Sequence, residues 1–205
     1  MSIYPEASRI DVDAVLPSGQ HLQIFSSADE RVIQTHLQLM KQFSIGGPFV
    51  QRFLSDIKDS NLKLWKNKIL SRVRQAAALN GRTFAVMYDL SGLSNQQVRD
   101  ILLNDVRELE ISGAFQDSNC MTRSGMPLIA LWGLGFNDRN LDPSLIQEII
   151  GTLKQRGFAV MGGVPFYYGR RGGDVSPDPR WKYIFDLLDV VSPWAVGRYQ
   201  NLAEL

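Results

Sequence analysis

The chain alternates short, continuously apolar runs with segments of helical period, and this alternation restricts the folds open to it. The runs are GGPFVQRF, TFAVMYD, MPLIALWG, FAVMGGVP and VVSPW. Between the first two, LKLWKNKILSRVRQAAALNG places Leu62, Ile69, Val73 and Ala76 on one stripe and stops at Asn80-Gly81. In SNQQVRDILLNDVREL, Ser94 stands three residues before Gln97, and Val98, Ile101, Leu102, Val106 and Leu109 recur at helical spacing. DPSLIQEIIGTLKQRG carries Asp142 at a cap, Pro143 in the first turn and Gly157 past the end. PRWKYIFDLLD is a further helix. Ahead of the first run, SSADERVIQTHLQLMKQF reads as a helix capped by Ser27 and Glu30, with Val32, Leu39, Met40 and Phe43 near one face. Short apolar strands without alternation are covered on both faces, and the helices between them supply parallel crossovers. The expectation is an α/β fold of five parallel strands, opening on a helix that has no strand before it.

The 205 residues are 44% hydrophobic and suit one globular domain. A formal net charge of +1 gives no basic excess for nucleic acid, so no nucleic-acid partner is expected. Cys120 is the one cysteine, which excludes an internal disulfide, and His21 and His36 lack zinc-ligand spacing. Neither glycine-rich phosphate loop follows a strand, so no cofactor is implied. The opening MSIYPEASRID has no apolar signal region and no stretch is long enough to span a bilayer, so no membrane partner is expected.

Polar and aromatic residues gather where the strands end. The first strand ends in Gln51-Arg52, the second in Tyr88-Asp89 and the third in Trp132. The fourth runs to Phe166-Tyr167-Tyr168, and the fifth to Trp194 with Arg198 just after. In a (β/α)8 barrel that edge carries the active site. Aromatic faces beside hydrogen-bonding side chains suit sugars, which offer apolar C–H faces and a rim of hydroxyls. A full barrel has eight strands and about 250 residues. The expectation is therefore an incomplete (β/α)8 TIM-barrel-like arc, a single domain over 1–205 shortened at both ends. Its open edges invite self-association.

The stretches GGPFVQRFLSDI, FAVMYDLSGL, PLIALWGLGFND, RGFAVMGGVPFYY and VVSPWAVGRY, in that order, resemble bacterial proteins of the glycoside hydrolase family 71/99-like group, some of them labelled xylosidase/arabinosidase. The resemblance runs from about Tyr4 to Arg198-Tyr199. It implies a (β/α)8 barrel, a glycan ligand, and acidic catalytic residues near a late strand beyond these motifs. Members of the group are often secreted or periplasmic, while this sequence leaves the location open.

Asp89 is the candidate acid/base or hydroxyl-binding residue; the alternative is a cap on the turn at Ser91-Gly92. Glycoside hydrolysis ordinarily needs two carboxyl groups roughly 5–10 Å apart. Asp56 and Asp138 are candidates for the second, and neither makes a convincing pair. Substrate contacts are expected from Gln51, Arg52, Tyr88, Trp132, Asn137, Tyr167, Trp194 and Arg198. Gln51 and Arg52 point to opposite faces, so only one reaches the ligand. Burial alone would also explain the tryptophans, and Arg198 would equally fix a loop. GRRGGD is either a lid or a permissive connection. Three functions follow: a glycoside hydrolase-like protein acting on a plant or microbial glycan, a non-catalytic carbohydrate-binding remnant, or a subunit completing a barrel with another chain.

Overall fold

The computed structural model of the protein describes residues 8–170 and 172–197. An antiparallel hairpin, β1 (Arg9–Val15) and β2 (His21–Phe25), precedes α1 (Glu30–Gln42). Next come β3 (Phe49–Phe53), α2 (Leu54–Ile57), α3 (Ser60–Asn80), β4 (Ala85–Asp89) and α4 (Asn95–Ile111). Then follow β5 (Thr122–Arg123), β6 (Met126–Trp132), α5 (Pro143–Gln155), β7 (Ala159–Val164), α6 (Arg180–Asp186) and β8 (Val190–Pro193). Five strands run parallel in the order β3-β4-β6-β7-β8, and β5 adds a short antiparallel partner to β6. Spatial order follows chain order without reversal, as in successive strands of a barrel and unlike a doubly wound sheet. The fold is α/β, a parallel five-stranded arc with crossover helices.

Local chemistry sets the helix ends. Ser94 and Gln97 form the reciprocal capping box read from the sequence. Asp142 accepts from the Ser144 N–H at 3.1 Å, with Pro143 opening α5. The cap of α1 differs from expectation: Asp29, not Ser27, accepts from the Arg31 N–H. Hydrogen bonding from the Arg31 side chain holds the Asp29 carboxyl at about 2, so it stays charged where the helix dipole favours an anion. The hairpin was not expected, and the reason is visible in its exposure. Ile10, Leu22 and Ile24 stand open to solvent, so no buried stripe marks these strands.

Successive helices touch one another, α1 on α3, α2 on α3 and α4, α4 on α5, and α5 on α6, which makes a single layer. Beneath it lie Val50 and Arg52, Val86 and Tyr88, Ile129 and Leu131, and Val160, all buried. The opposite face is open. Gln51 and Phe53 are exposed there, and Met87, Met161 and Val190 are half-buried. The expectation of cover on both faces is thus corrected. Continuous hydrophobicity misled because the open face is also built from Met, Ala, Gly and Trp. The same alternation buries Val50. Trp65, on α3, is exposed at 44%.

Candidate functional site

Register assigns each open-face residue to a row. Phe53 pairs with Asp89, Asp89 with Trp132, Trp132 with Gly163, and Gly163 with Ser192. One step down, toward the strand N-termini, the row is Gln51, Met87, Ala130, Met161 and Val190. Paired residues of neighbouring parallel strands share a face, so Asp89 and Trp132 are neighbours at the C-terminal end of the sheet. A Cβ on Gly163 would meet the Trp132 ring at 1.8 Å. The indole thus lies across the next strand in space that only glycine leaves. Trp194, just beyond β8, meets Trp132 edge to face at 5.2 Å between centroids and keeps 41% of its surface exposed.

Asp89 is 5% exposed and fully engaged at one oxygen. Its Oδ1 accepts from the Ser91 N–H at 3.0 Å and from the Ser91 hydroxyl at 2.5 Å. Its Oδ2 accepts from the Gln51 amide at 3.2 Å. Arg139 Nη1 stands 3.8 Å from Oδ1 and donates to Ser91 Oγ at 2.5 Å. The carboxylate therefore caps the turn, and among the described residues its Oδ2 accepts from Gln51 alone.

Arg52 and Tyr88, expected as ligand contacts, lie on the other side of the sheet. Arg52 is fully buried and donates to Asp105 from Nε at 2.9 Å and from Nη2 at 2.7 Å. Nη2 also donates to Asn67 at 2.8 Å, while Nη1 is buried with no partner among the described residues. The Tyr88 hydroxyl donates to Asp105 Oδ2 at 2.8 Å. Burial first, and then the Asp105 charge, push the Tyr88 phenol well above its ordinary range, so it remains a neutral donor. The cause of the correction is the period of two: Gln51 and Asp89 face out, so their neighbours Arg52 and Tyr88 face the helices.

Asn137 and Tyr167 also have other duties. The Asn137 amide donates to the Gly173 carbonyl at 2.8 Å, and its N–H donates to the Asp174 carbonyl at 3.0 Å. A bridge between Phe136 and Val175 completes the join between the loops after β6 and β7. The Asp174 carboxylate accepts from the N–H groups of Phe166 and Tyr167, and Tyr167 lies over Gly173. The loop containing Gly172 and Gly173 is thus tied at both ends rather than hanging as a lid. Arg198 lies outside the described residues. Asp56 pairs with Lys66 at 3.0 Å, while Asp138, its side chain 76% exposed, lies 3.9 Å from Nε of the same Arg139 guanidinium that faces Asp89. Among the described residues no cluster of His, Cys, Asp and Glu could hold a metal ion. None of their helices is long and apolar enough to cross a membrane.

Two residues were missed. Asp105 falls on the α4 stripe, seven residues after Val98 and four before Leu109; a charge at a buried helical position signals a buried partner. Arg139 gave no such signal, because loop geometry alone returns it to the strand end.

No protein-family model matches the chain, and no curated protein matches it. Among solved structures it is similar to the GH99 endo-alpha-mannosidase of Bacteroides thetaiotaomicron. A complex with BIS-TRIS-propane shares 12% identity at a TM-score of 0.42, covering 82% of this chain and 71% of that one. A second structure shares 11% identity at a TM-score of 0.40, covering 83% and 67%. Both of these structures are GH99 endo-alpha-mannosidases.

Proposed function

We propose that the chain is a glycoside hydrolase-like protein whose open sheet face binds a plant or microbial glycan at the strand C-termini. The observation that carries this reading is the Asp89–Trp132 neighbour pair, with Trp194 edge-on beyond it and Gln51 bonded to the carboxylate. A sugar needs an apolar ring to stack on and fixed donors and acceptors beside it, and this row supplies both. The sequence motifs similar to the family 71/99-like group support the same reading and extend it to the xylosidase/arabinosidase-like members.

The reading is one of binding, with turnover requiring a second carboxyl group. Asp89 contributes Oδ2 as an acceptor for sugar hydroxyls. The five strands belong to one barrel-like domain whose edges β3 and β8 each have one strand partner among the described residues.

Affinity electrophoresis in gels containing xylan, arabinan or mannan tests the proposal. Wild-type protein is retarded by at least one polymer, and Trp194→Ala, which removes an exposed ring, abolishes the retardation without changing the unfolding midpoint. Unretarded wild-type protein in every gel refutes the reading. A parallel screen with aryl glycosides is expected to show weak or no turnover.

A further inference from the structure

We propose that Arg139 is a ligand-contacting residue of this face and that it selects an uncharged sugar with adjacent hydroxyls. The inference rests on the glycan reading above. After β6 the chain turns through Gly133, at φ 103°, and Arg139 folds back over it. A Cβ on Gly133 would stand 2.2 Å from Arg139 Nη1, so the guanidinium in this pose occupies space that a glycine with positive φ leaves. The guanidinium sits 5.3 Å over the Phe136 ring, and Nη1 donates to Ser91 Oγ at 2.5 Å. These contacts fix the plane of the fork. Nε lies 3.9 Å from Asp138, beyond hydrogen-bond reach, and Nη2 has no hydrogen-bond partner among the described residues.

Exposure decides which member of the pair meets a ligand first. The Arg139 side chain is 26% exposed against 7% for Asp89. The guanidinium therefore offers donors beyond its bond to Ser91, with the Asp89 carboxylate as an acceptor 3.8 Å from Nη1. A donor and an acceptor side by side match two neighbouring hydroxyls, one accepting from Arg139 and one donating to Asp89. Charge decides the ligand class. Arg139 stands 3.8 Å from Asp89, and Asp138 adds a second nearby carboxylate, so the site holds no excess positive charge for an acidic sugar.

The test uses affinity gels with xylan, arabinan, mannan and polygalacturonate, run with wild type, Arg139→Lys, Gly133→Ala and Trp194→Ala. Wild type is expected to be held by a neutral polymer equally at low and moderate salt. Arg139→Lys is expected to bind about tenfold more weakly, because one ammonium cannot hold Ser91 and a ligand from separate nitrogens. Gly133→Ala, which keeps the guanidinium and displaces it, shows a similar loss. Wild-type affinity in Arg139→Lys together with weakened Trp194→Ala overturns the Arg139 assignment and leaves the glycan reading standing. Salt-sensitive retention by polygalacturonate alone overturns the uncharged ligand class. Wild type unretained by every polymer overturns the glycan reading, and this inference with it.

Discussion

Replacing Asp105 with Asn removes a charge that three hydrogen bonds, two from Arg52 and one from Tyr88, depend on. In the native protein Arg52 gives Asp105 two hydrogen bonds and Tyr88 gives it one, all within 2.9 Å, and the Arg52 and Asp105 side chains are 0% and 1% exposed. The amide keeps one acceptor oxygen and sets a donor nitrogen against donors. Arg52 is then a buried cation without a counter-ion, since Asn67 is a neutral partner. Breaking a buried pair by removing one member costs about 3–5 kcal/mol. That is a large share of the roughly 5–15 kcal/mol that holds a domain folded. With a urea slope of about 2 kcal/mol per molar, the midpoint falls by roughly 1.5–2.5 M. Chemical unfolding followed by circular dichroism measures this directly. The double variant Arg52→Met/Asp105→Leu, which removes both charges, is expected to recover most of the loss, because a packed apolar pair of similar volume is often neutral or better. A midpoint shift below about 0.5 M for Asp105→Asn, or a double variant worse than the single, refutes the reasoning.

Gly163→Ala drives a methyl into the Trp132 ring at 1.8 Å; the expected result is a loss of roughly 1–3 kcal/mol and weakened glycan retention, read by urea unfolding and affinity gels. Asp89→Asn keeps an acceptor for the Ser91 N–H and loses the charge facing Gln51 and Arg139; a titration should show weaker glycan binding with an unfolding midpoint close to wild type. Burial raises the Cys120 thiol from 9.0 to about 11, so the unfolded chain releases this proton before the folded one does. Stability carried by this group is whole below pH 9 and declines as pH rises toward 11, and Cys120→Ala should flatten that part of an alkaline unfolding series. The edges β3 and β8 each have one strand partner among the described residues, and light scattering at rising concentration should show self-association.

The fold was legible because its elements carry local signals strong enough to survive packing. Ser94 with Gln97, and Asp142 with Pro143, announce helix starts by capping chemistry that needs no tertiary partner. The runs ending at Asp89 and Trp132 announce strands by length and hydrophobicity. Which face each strand residue takes was legible only in part. Period two separates Gln51 from Arg52 but does not say which faces the helices. The answer lay in Asp105, whose place on the α4 stripe demands a buried cation across from it. Tyr88 could have been assigned by the same logic, since Asp89 and Tyr88 cannot share a face. Asn137 and Tyr167 were out of reach, because their partners Gly173 and Asp174 lie in a loop 36 residues beyond Asn137 and seven beyond Tyr167, with no periodic signal linking them. Arg139 depends on one glycine turn, which is a property of backbone path.

Tryptophan indole N–H resonances offer the most direct measurement of the central claim. The chain has four tryptophans, of which Trp132 and Trp194 belong to the open face, while Trp181 lies buried under α6 packing and Trp65 lies out on α3. Titration of isotopically labelled protein with neutral oligosaccharides of xylose, arabinose and mannose should shift the Trp132 and Trp194 signals together, saturably, and leave Trp65 and Trp181 in place. Four unmoved signals with every sugar, or shifts confined to Trp65 and Trp181, would contradict a glycan site at the strand C-termini.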